Sequence, residues 1–194
     1  FLKCYLTIIK GQSQTFLVYI LRVNTPLFSV VIPTYNSKEL LKKAIKSVFN
    51  QSYKNYEIIV IDNFSNDGTD TYLESLDNKK IKFVKNKNEG CIGKSRNVGI
   101  KMSQAKWIAF LDSDDIWFEN RLSAIFKIFE LEGEEKYDVI CSNEIFIKNG
   151  KKTLWKCGPN KKNLYKNLIK YGNCISTSAT VVKKEFLIKN KILF

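Results

Sequence analysis

Short apolar runs alternate along the chain with segments in which apolar residues recur at helical spacing. The runs at 27–33 and 57–62 are short and largely apolar, a pattern typical of parallel strands buried on both faces. Between them, Ser37 is placed to cap a helix that extends to about Asn50. This alternation predicts an α/β fold, a mostly parallel sheet with helices on both faces. The other predicted strands are 81–85, 107–111, 137–142, 144–148, 152–156 and 177–182, and the other predicted helices begin at Thr69 or span 94–103, 118–131 and 160–171.

The length of 194 residues is typical of one domain, or of one domain and a small part. Hydrophobic residues make up 44% and charged residues 26%, which excludes a disordered chain, a collagen-like fibre and a coiled coil. The apolar runs are far shorter than the roughly 20 residues of a membrane-spanning helix. Residues 1–22 match no periodic pattern, so we expect 1–25 to be an N-terminal extension, its native origin left open, and 26–194 to form the domain.

Cysteine and histidine usage narrows the chemistry that the chain can perform. There are five cysteines without a CxxC pair, which indicates neither a zinc site nor a disulfide framework, and we expect buried free thiols. There is no histidine, which excludes a Ser-His-Asp or Cys-His nucleophile pair and a histidine-ligated metal. Acid-base and metal chemistry must therefore come from carboxylates.

The formal net charge is +13, and it is concentrated in the last part of the chain. Residues 151–194 contain eleven lysines and a single acid, Glu185. Such a segment favours nucleic acid, anionic lipid headgroups or a phosphorylated substrate as a partner. The alternative is a compositional bias, since the chain has many lysines and only three arginines.

The loops after the first, second and fourth predicted strands are polar, and parallel α/β sheets bind ligands beyond the carboxyl ends of their strands. The fourth strand runs directly into Asp112, Asp114 and Asp115. In an extended segment Asp112 and Asp114 share a face, and two carboxylates about 5 Å apart repel by roughly 3 kcal/mol. A divalent cation such as Mg²⁺ or Mn²⁺ relieves that repulsion. The alternative is a solvated acidic turn before the helix near Phe118.

Three further side chains are suited to binding a nucleotide. Arg96 lies in the first turn of a predicted helix, where backbone N–H groups and a guanidinium together favour a phosphate. Tyr35 offers a ring for stacking on a base, and Asp62 offers a carboxylate that accepts a ring N–H. The alternatives are a surface arginine and ordinary residues at strand ends.

Six segments of the chain form a recognisable combination: SVVIPTYN (29–36), SVFNQSYKNYEIIVID (47–62), SNDGT (65–69), NEGCIGKSRNVGI (88–100), WIAFLDSDDIW (107–117) and, more weakly, ISTSATVVKKEFL (175–187). In this order, these segments resemble the family 2 glycosyltransferases of the GT-A fold over residues 26–190. The resemblance implies an inverting transferase that uses a nucleotide-diphosphate sugar and a divalent metal, Mn²⁺ or Mg²⁺.

The resemblance also assigns roles to residues of this chain. It implies that Arg96 and Asp112 contact the nucleotide sugar, with Arg96 facing its diphosphate. Asp112 and Asp114 would form the DxD metal site, with Asp115 adjoining it. It further implies that the nucleoside pocket is lined by Pro33, Thr34, Tyr35, Asp62 and Asn63.

Two departures from the family pattern affect these expectations. The family has Asp-Asp after the second strand, whereas this chain has Asp62-Asn63, so the nucleotide preference is open. The family's catalytic base lies in a carboxylate-rich segment that would follow Phe194. We therefore expect the domain to be incomplete at its C-terminus, and the catalytic base stays unknown.

The acceptor implied by the resemblance is a glycan or a lipid-linked saccharide in surface polysaccharide synthesis. The setting would be cytoplasmic, with Lys151–Lys191 contacting an anionic membrane surface peripherally and with no nucleic-acid partner. One alternative is a haloacid-dehalogenase-like phosphatase, which also carries DxD after an apolar strand. The other is a basic module that binds nucleic acid or a membrane surface.

Overall fold

In the part of the chain that the structure describes, six strands pair into one sheet, and the first four alternate with helices as the hydrophobic pattern predicts. The computed structural model describes residues 25–156 and 175–194. In chain order, the elements are β1 (Phe28–Thr34), α1 (Lys38–Phe49), β2 (Tyr56–Asp62), α2 (Thr69–Glu74), β3 (Ile81–Lys85), α3 (Ile92–Met102), β4 (Trp107–Phe110), α4 (Arg121–Glu132), a 3₁₀ turn (Glu134–Lys136), β5 (Val139–Cys141), β6 (Glu144–Lys148), β7 (Lys151–Trp155), β8 (Thr180–Lys183) and α5 (Lys184–Lys189).

The large sheet has the strand order β3-β2-β1-β4-β8-β5. The pairs β3–β2, β2–β1 and β1–β4 are parallel, whereas β8 pairs antiparallel with both β4 and β5. The predicted parallel sheet is thus confirmed for its first four strands, and an antiparallel edge extends it. The carboxyl ends of β1, β2 and β4 consequently lie together at one edge of the sheet.

Both faces of the central strands are buried, which explains their nearly continuous apolar sequences. On one face, Ile32 belongs to a core shared with Leu41 of α1 and Ile125 of α4. On the other face, Ile59 belongs to a core shared with Ile100 of α3 and other residues. The prediction of helices on both faces is therefore confirmed.

The helix after β4 begins at Arg121 instead of Phe118, because a buried side chain organises the segment before it. Gln51 is fully buried, and its Nε2 donates to the Phe118 carbonyl at 2.8 Å. Its Oε1 accepts from the Leu122 N–H at 3.0 Å. Gln51, which follows α1, thus forms hydrogen bonds with backbone groups on both sides of the start of α4.

The structure differs from other sequence predictions, and some predictions lie outside the described residues. The last strand begins at Thr180 instead of 177. Cys91 is exposed and Cys141 is half-buried, so the expected burial of the thiols is wrong for these two. The predicted helix at 160–171 and most of the proposed extension at 1–25 lie outside the described residues.

Strands β6 and β7 form a separate antiparallel hairpin. Its exposed residues combine large apolar side chains with lysines. In the described ranges every helix is too short or too polar to cross a bilayer.

Gly99 sets the distance between α3 and the sheet. A Cβ atom there would lie 2.3 Å from Val31 Cγ1 and 2.9 Å from Ile61 Cδ1. We expect Gly99→Ala to lower the free energy of unfolding by about 1–2 kcal/mol, because overpacking outweighs the better helix propensity of alanine. Urea denaturation measures this, with the exposed Lys101→Ala in the same helix as control. A Gly99→Ala protein as stable as the wild type would contradict the close approach.

Candidate functional site

The polar loops after β1, β2 and β4 meet at the carboxyl edge of the sheet. Thr34 is in register with Asp62, and the Asn63 N–H donates to the Thr34 carbonyl at 2.9 Å. On the other side of β1, the Leu111 N–H donates to the Val31 carbonyl at 3.1 Å. These backbone bonds extend the pairing past the strand ends, so the loops predicted to bind a ligand are neighbours.

Asp62 is fully buried and holds the loop after β2. Its two carboxylate oxygens accept from the Ser65 N–H, each at 3.2 Å, and the Ser65 hydroxyl also donates to it. The Ser65 hydroxyl oxygen accepts in turn from the Asn36 N–H at 2.9 Å. Asp62 is therefore placed at the expected edge, but its carboxylate bonds to its own loop.

Among the other residues predicted to line the nucleoside pocket, Tyr35 and Asn63 are the accessible ones. The Tyr35 residue is 59% exposed, whereas Pro33 and Thr34 are buried in β1. Asn63 is half-buried, and its Oδ1 accepts from the Asn88 N–H at 2.9 Å. Within the part of the chain that the structure describes, nothing accepts from its amide nitrogen. The predicted residues thus offer one aromatic face and one amide donor at this loop edge.

Arg96 pairs with Asp112 across the loops. Helix α3 begins at Ile92, so Arg96 lies inside the helix and not in its first turn, which corrects the expected combination of a helix start and a guanidinium. The Arg96 residue is 8% exposed, and its Nη2 donates to Asp112 Oδ1 at 2.7 Å. The ring of Phe194 lies against the guanidinium, 5.2 Å from centroid to Cζ. Among the described residues, Arg96 Nε is buried without a hydrogen-bond partner.

The acidic segment after β4 is a turn, which overturns the prediction that it is extended. The Asp115 N–H donates to the Asp112 carbonyl at 3.0 Å, and this bond reverses the chain direction. Asp112 is drawn to Arg96, while Asp114 and Asp115 stay exposed. Although its side chain is accessible, restricted solvation raises the pKa of Asp115, and the charges of Asp114 and Asp112 raise it further.

A chain of three hydroxyl groups joins the β1 loop to the acidic turn, and sequence analysis missed it. Ser37 was expected to cap α1, but its side chain makes no capping bond. Its Oγ instead lies 2.8 Å from Thr34 Oγ1 and 3.0 Å from Ser113 Oγ. A serine before a helix gives the same sequence pattern whether its side chain caps the helix or contacts a distant hydroxyl group. Only the spatial position of Ser113 shows that the second arrangement occurs here.

The carboxylates of the turn fit a divalent cation that is shared with a substrate. No group of three or more histidine, cysteine, aspartate or glutamate side chains in the described ranges could hold a metal alone. Mg²⁺ and Mn²⁺ at phosphate sites need only one or two carboxylates, because substrate phosphates and water supply the remaining ligands. Asp114 and Asp115 suit this arrangement, since both are exposed and neither forms an ion pair within 25–156 and 175–194.

The model of the family described as Glycosyl transferase family 2 matches residues 29–189. The chain belongs to this family. An uncharacterized glycosyltransferase of Methanocaldococcus jannaschii is 34% identical to this chain over 175 residues, covering 88% of this chain and 58% of that protein. The Escherichia coli UDP-Glc:alpha-D-GlcNAc-diphosphoundecaprenol beta-1,3-glucosyltransferase WfgD is 36% identical over 96 residues, covering 50% of this chain and 38% of WfgD.

A solved structure supports the same fold assignment. S. aureus TarS 1-349 in complex with UDP has a TM-score of 0.69 and 26% sequence identity, covering 86% of this chain and 49% of that chain. The GT-A class expected from the resemblance is thereby confirmed. The comparisons give no support to the phosphatase or to the nucleic-acid-binding alternative. This chain spans about half of TarS 1-349 and less than two thirds of either relative.

The two aspartates at the ends of the DxD sequence should differ in their effect on stability. Asp112→Ala leaves the buried guanidinium of Arg96 without its charged partner, so we expect the free energy of unfolding to fall by about 2 kcal/mol. Asp114→Ala removes an exposed carboxylate, and we expect a change within about 0.5 kcal/mol. Urea denaturation at neutral pH compares them. Equal destabilisation by both substitutions would contradict the assignment of Asp112 to the ion pair.

Proposed function

We propose that this chain binds a nucleotide-diphosphate sugar and provides the donor site of a glycosyltransferase that inverts the anomeric centre. The observation that carries the proposal is the meeting, at one sheet edge of a family 2 chain, of the exposed Tyr35 with the acidic turn beside Arg96. The UDP complex of TarS supports a nucleoside diphosphate as ligand. The name of WfgD supports a UDP-sugar donor and a lipid-linked acceptor.

In this proposal the loops after β1 and β2 bind the nucleoside. Tyr35 stacks on the base, and the Asn63 amide nitrogen donates to a base carbonyl, because its Oδ1 is already bonded to Asn88. Asp62 keeps its bonds to Ser65 and holds the loop in shape. Asn63 contacts the base through a neutral amide, so the nucleotide is selected by hydrogen bonding and not by an ionic contact.

The turn and Arg96 bind the diphosphate. Asp114 and Asp115 would hold Mg²⁺ or Mn²⁺, which when bound offsets the negative charge of the departing diphosphate. Arg96 is fixed by Asp112, so its guanidinium is oriented before a ligand arrives. During transfer an acceptor hydroxyl forms a bond to the anomeric carbon from the face opposite the diphosphate. The bond from that carbon to the diphosphate oxygen breaks, and a carboxylate takes the hydroxyl proton.

A thermal-shift titration tests the donor site. We expect one of UDP, GDP and dTDP to raise the melting temperature in the presence of Mn²⁺, since saturation at 100 times the dissociation constant adds about 2.7 kcal/mol. Asp114→Ala should remove the metal-dependent part of the shift while leaving the melting temperature of the free protein unchanged. A wild-type protein without a shift for any of the three nucleotides, or an unaffected Asp114→Ala protein, would contradict the proposal.

We propose further that the β6–β7 hairpin contacts an anionic membrane surface. Residues 145–156 contain no acidic residue, and the hairpin exposes Phe146, Ile147 and Trp155 beside its lysines. Exposed aromatic and aliphatic side chains beside lysines are suited to the headgroup region of a bilayer. A lipid-linked acceptor, as the name of WfgD indicates for that protein, would be delivered at such a surface.

Vesicle co-sedimentation at low salt tests this contact. Each lysine near an anionic surface contributes about 1 kcal/mol, so Lys151→Glu with Lys152→Glu should weaken binding to phosphatidylserine vesicles at least about tenfold. The control is Lys79→Glu with Lys101→Glu, which makes the same change in net charge at two exposed lysines outside the hairpin. Equal loss of binding by both double variants would show a response to net charge alone and would contradict a role for the hairpin.

A further inference from the structure

Phe64 has an unusual backbone conformation at the edge of the proposed nucleoside site. It follows Asp62-Asn63 directly, and its φ is +59°. The left-handed region is disfavoured for bulky L-residues, since their Cβ crowds the following carbonyl, and such turn positions normally carry glycine or asparagine. An aromatic residue here therefore carries strain that a smaller residue would avoid.

Packing does not compensate for this strain. The Phe64 residue is 57% exposed, and none of the ring–ring contacts within the described residues involves it. The conformation is imposed from the neighbouring positions, because Asp62 accepts from both the N–H and the hydroxyl of Ser65. The loop thus holds an apolar ring out in the solvent. Strained residues of this kind concentrate at ligand sites.

A second exposed aromatic residue, Tyr35, lies in the loop that contacts this one. The β1 loop and the β2 loop are tied by the Asn36 N–H, which donates to Ser65 Oγ at 2.9 Å, and by the Asn66 N–H, which donates to Asn36 Oδ1 at 2.8 Å. Tyr35 immediately precedes Asn36, and Phe64 immediately precedes Ser65. The two hydrogen bonds therefore hold Tyr35 and Phe64 on adjacent loops, and both residues are more than half exposed.

We infer that Phe64 is a specificity-determining residue, which forms with Tyr35 an aromatic rim for the base of a nucleoside diphosphate. This inference rests on the proposed donor site and deepens it. Asn63, which directly precedes Phe64, supplies the amide donor for the base edge. Stacking on aromatic side chains contributes to binding through the base alone, so the rim distinguishes a nucleotide from a bare diphosphate. The strain in the loop keeps the ring available before the base arrives.

The substitution Phe64→Asn tests this inference through two effects of opposite sign. Asparagine tolerates the left-handed conformation, so the melting temperature of the ligand-free protein should stay the same or rise. The dissociation constant for the nucleoside diphosphate that gives the largest shift with Mn²⁺ should rise roughly five- to a hundredfold. Binding of inorganic pyrophosphate with Mn²⁺ should stay within twofold, because it has no base. Phe64→Tyr keeps the ring and should retain nucleotide affinity.

The outcomes separate this inference from the proposed function. Wild-type protein that binds none of UDP, GDP and dTDP overturns both. Wild-type protein that binds a nucleotide, together with Phe64→Asn protein that binds it within twofold, overturns the aromatic rim alone. Equal losses of nucleotide and pyrophosphate binding in Phe64→Asn would assign Phe64 a purely structural role and also overturn the rim.

Discussion

The buried carboxylate of Asp62 is the constraint on which the loop after β2, part of the proposed nucleoside site, depends. A fully buried carboxylate needs hydrogen bonds, and the loop after β2 provides them by turning Ser65 back onto it. That turn places Phe64 in the left-handed region and brings the Ser65 hydroxyl within reach of Asn36. The shape of two loops thus follows from one desolvated charge at the end of a central strand.

A second electrostatic interaction distinguishes the carboxylates of the acidic turn. Arg96 is almost entirely buried and draws Asp112 away from its neighbours, so the turn carries one carboxylate that stabilises the fold. Asp114 and Asp115 remain exposed and crowded, with the pKa of Asp115 raised. In the proposed site a cation would relieve the crowding without competing for the ion pair, so stability and metal binding could be altered separately.

The central sheet and the edge that carries the site could be predicted from the sequence, since buried parallel strands have a distinct pattern and their carboxyl ends must meet. The details inside the loops could not. The positions of Arg96 and Asp112 depend on where α3 begins and on a turn bond within the acidic segment. The sequence did not indicate the left-handed conformation of Phe64, because a positive φ is usually indicated by glycine or asparagine. The contacts that hold this conformation are made by the next residue, Ser65.

The chain of three hydroxyl groups joins the β1 loop to the acidic turn. Ser37 lies within hydrogen-bond distance of Thr34, at the end of β1, and of Ser113, inside the acidic turn. The loop after β2 is tied to β1 by the Asn63 N–H, which donates to the Thr34 carbonyl. These hydrogen bonds connect the two parts of the proposed donor site. In the proposed donor site a nucleotide, whose base and diphosphate are covalently linked, would contact both parts at once, whereas separate base and phosphate fragments would have to bind independently.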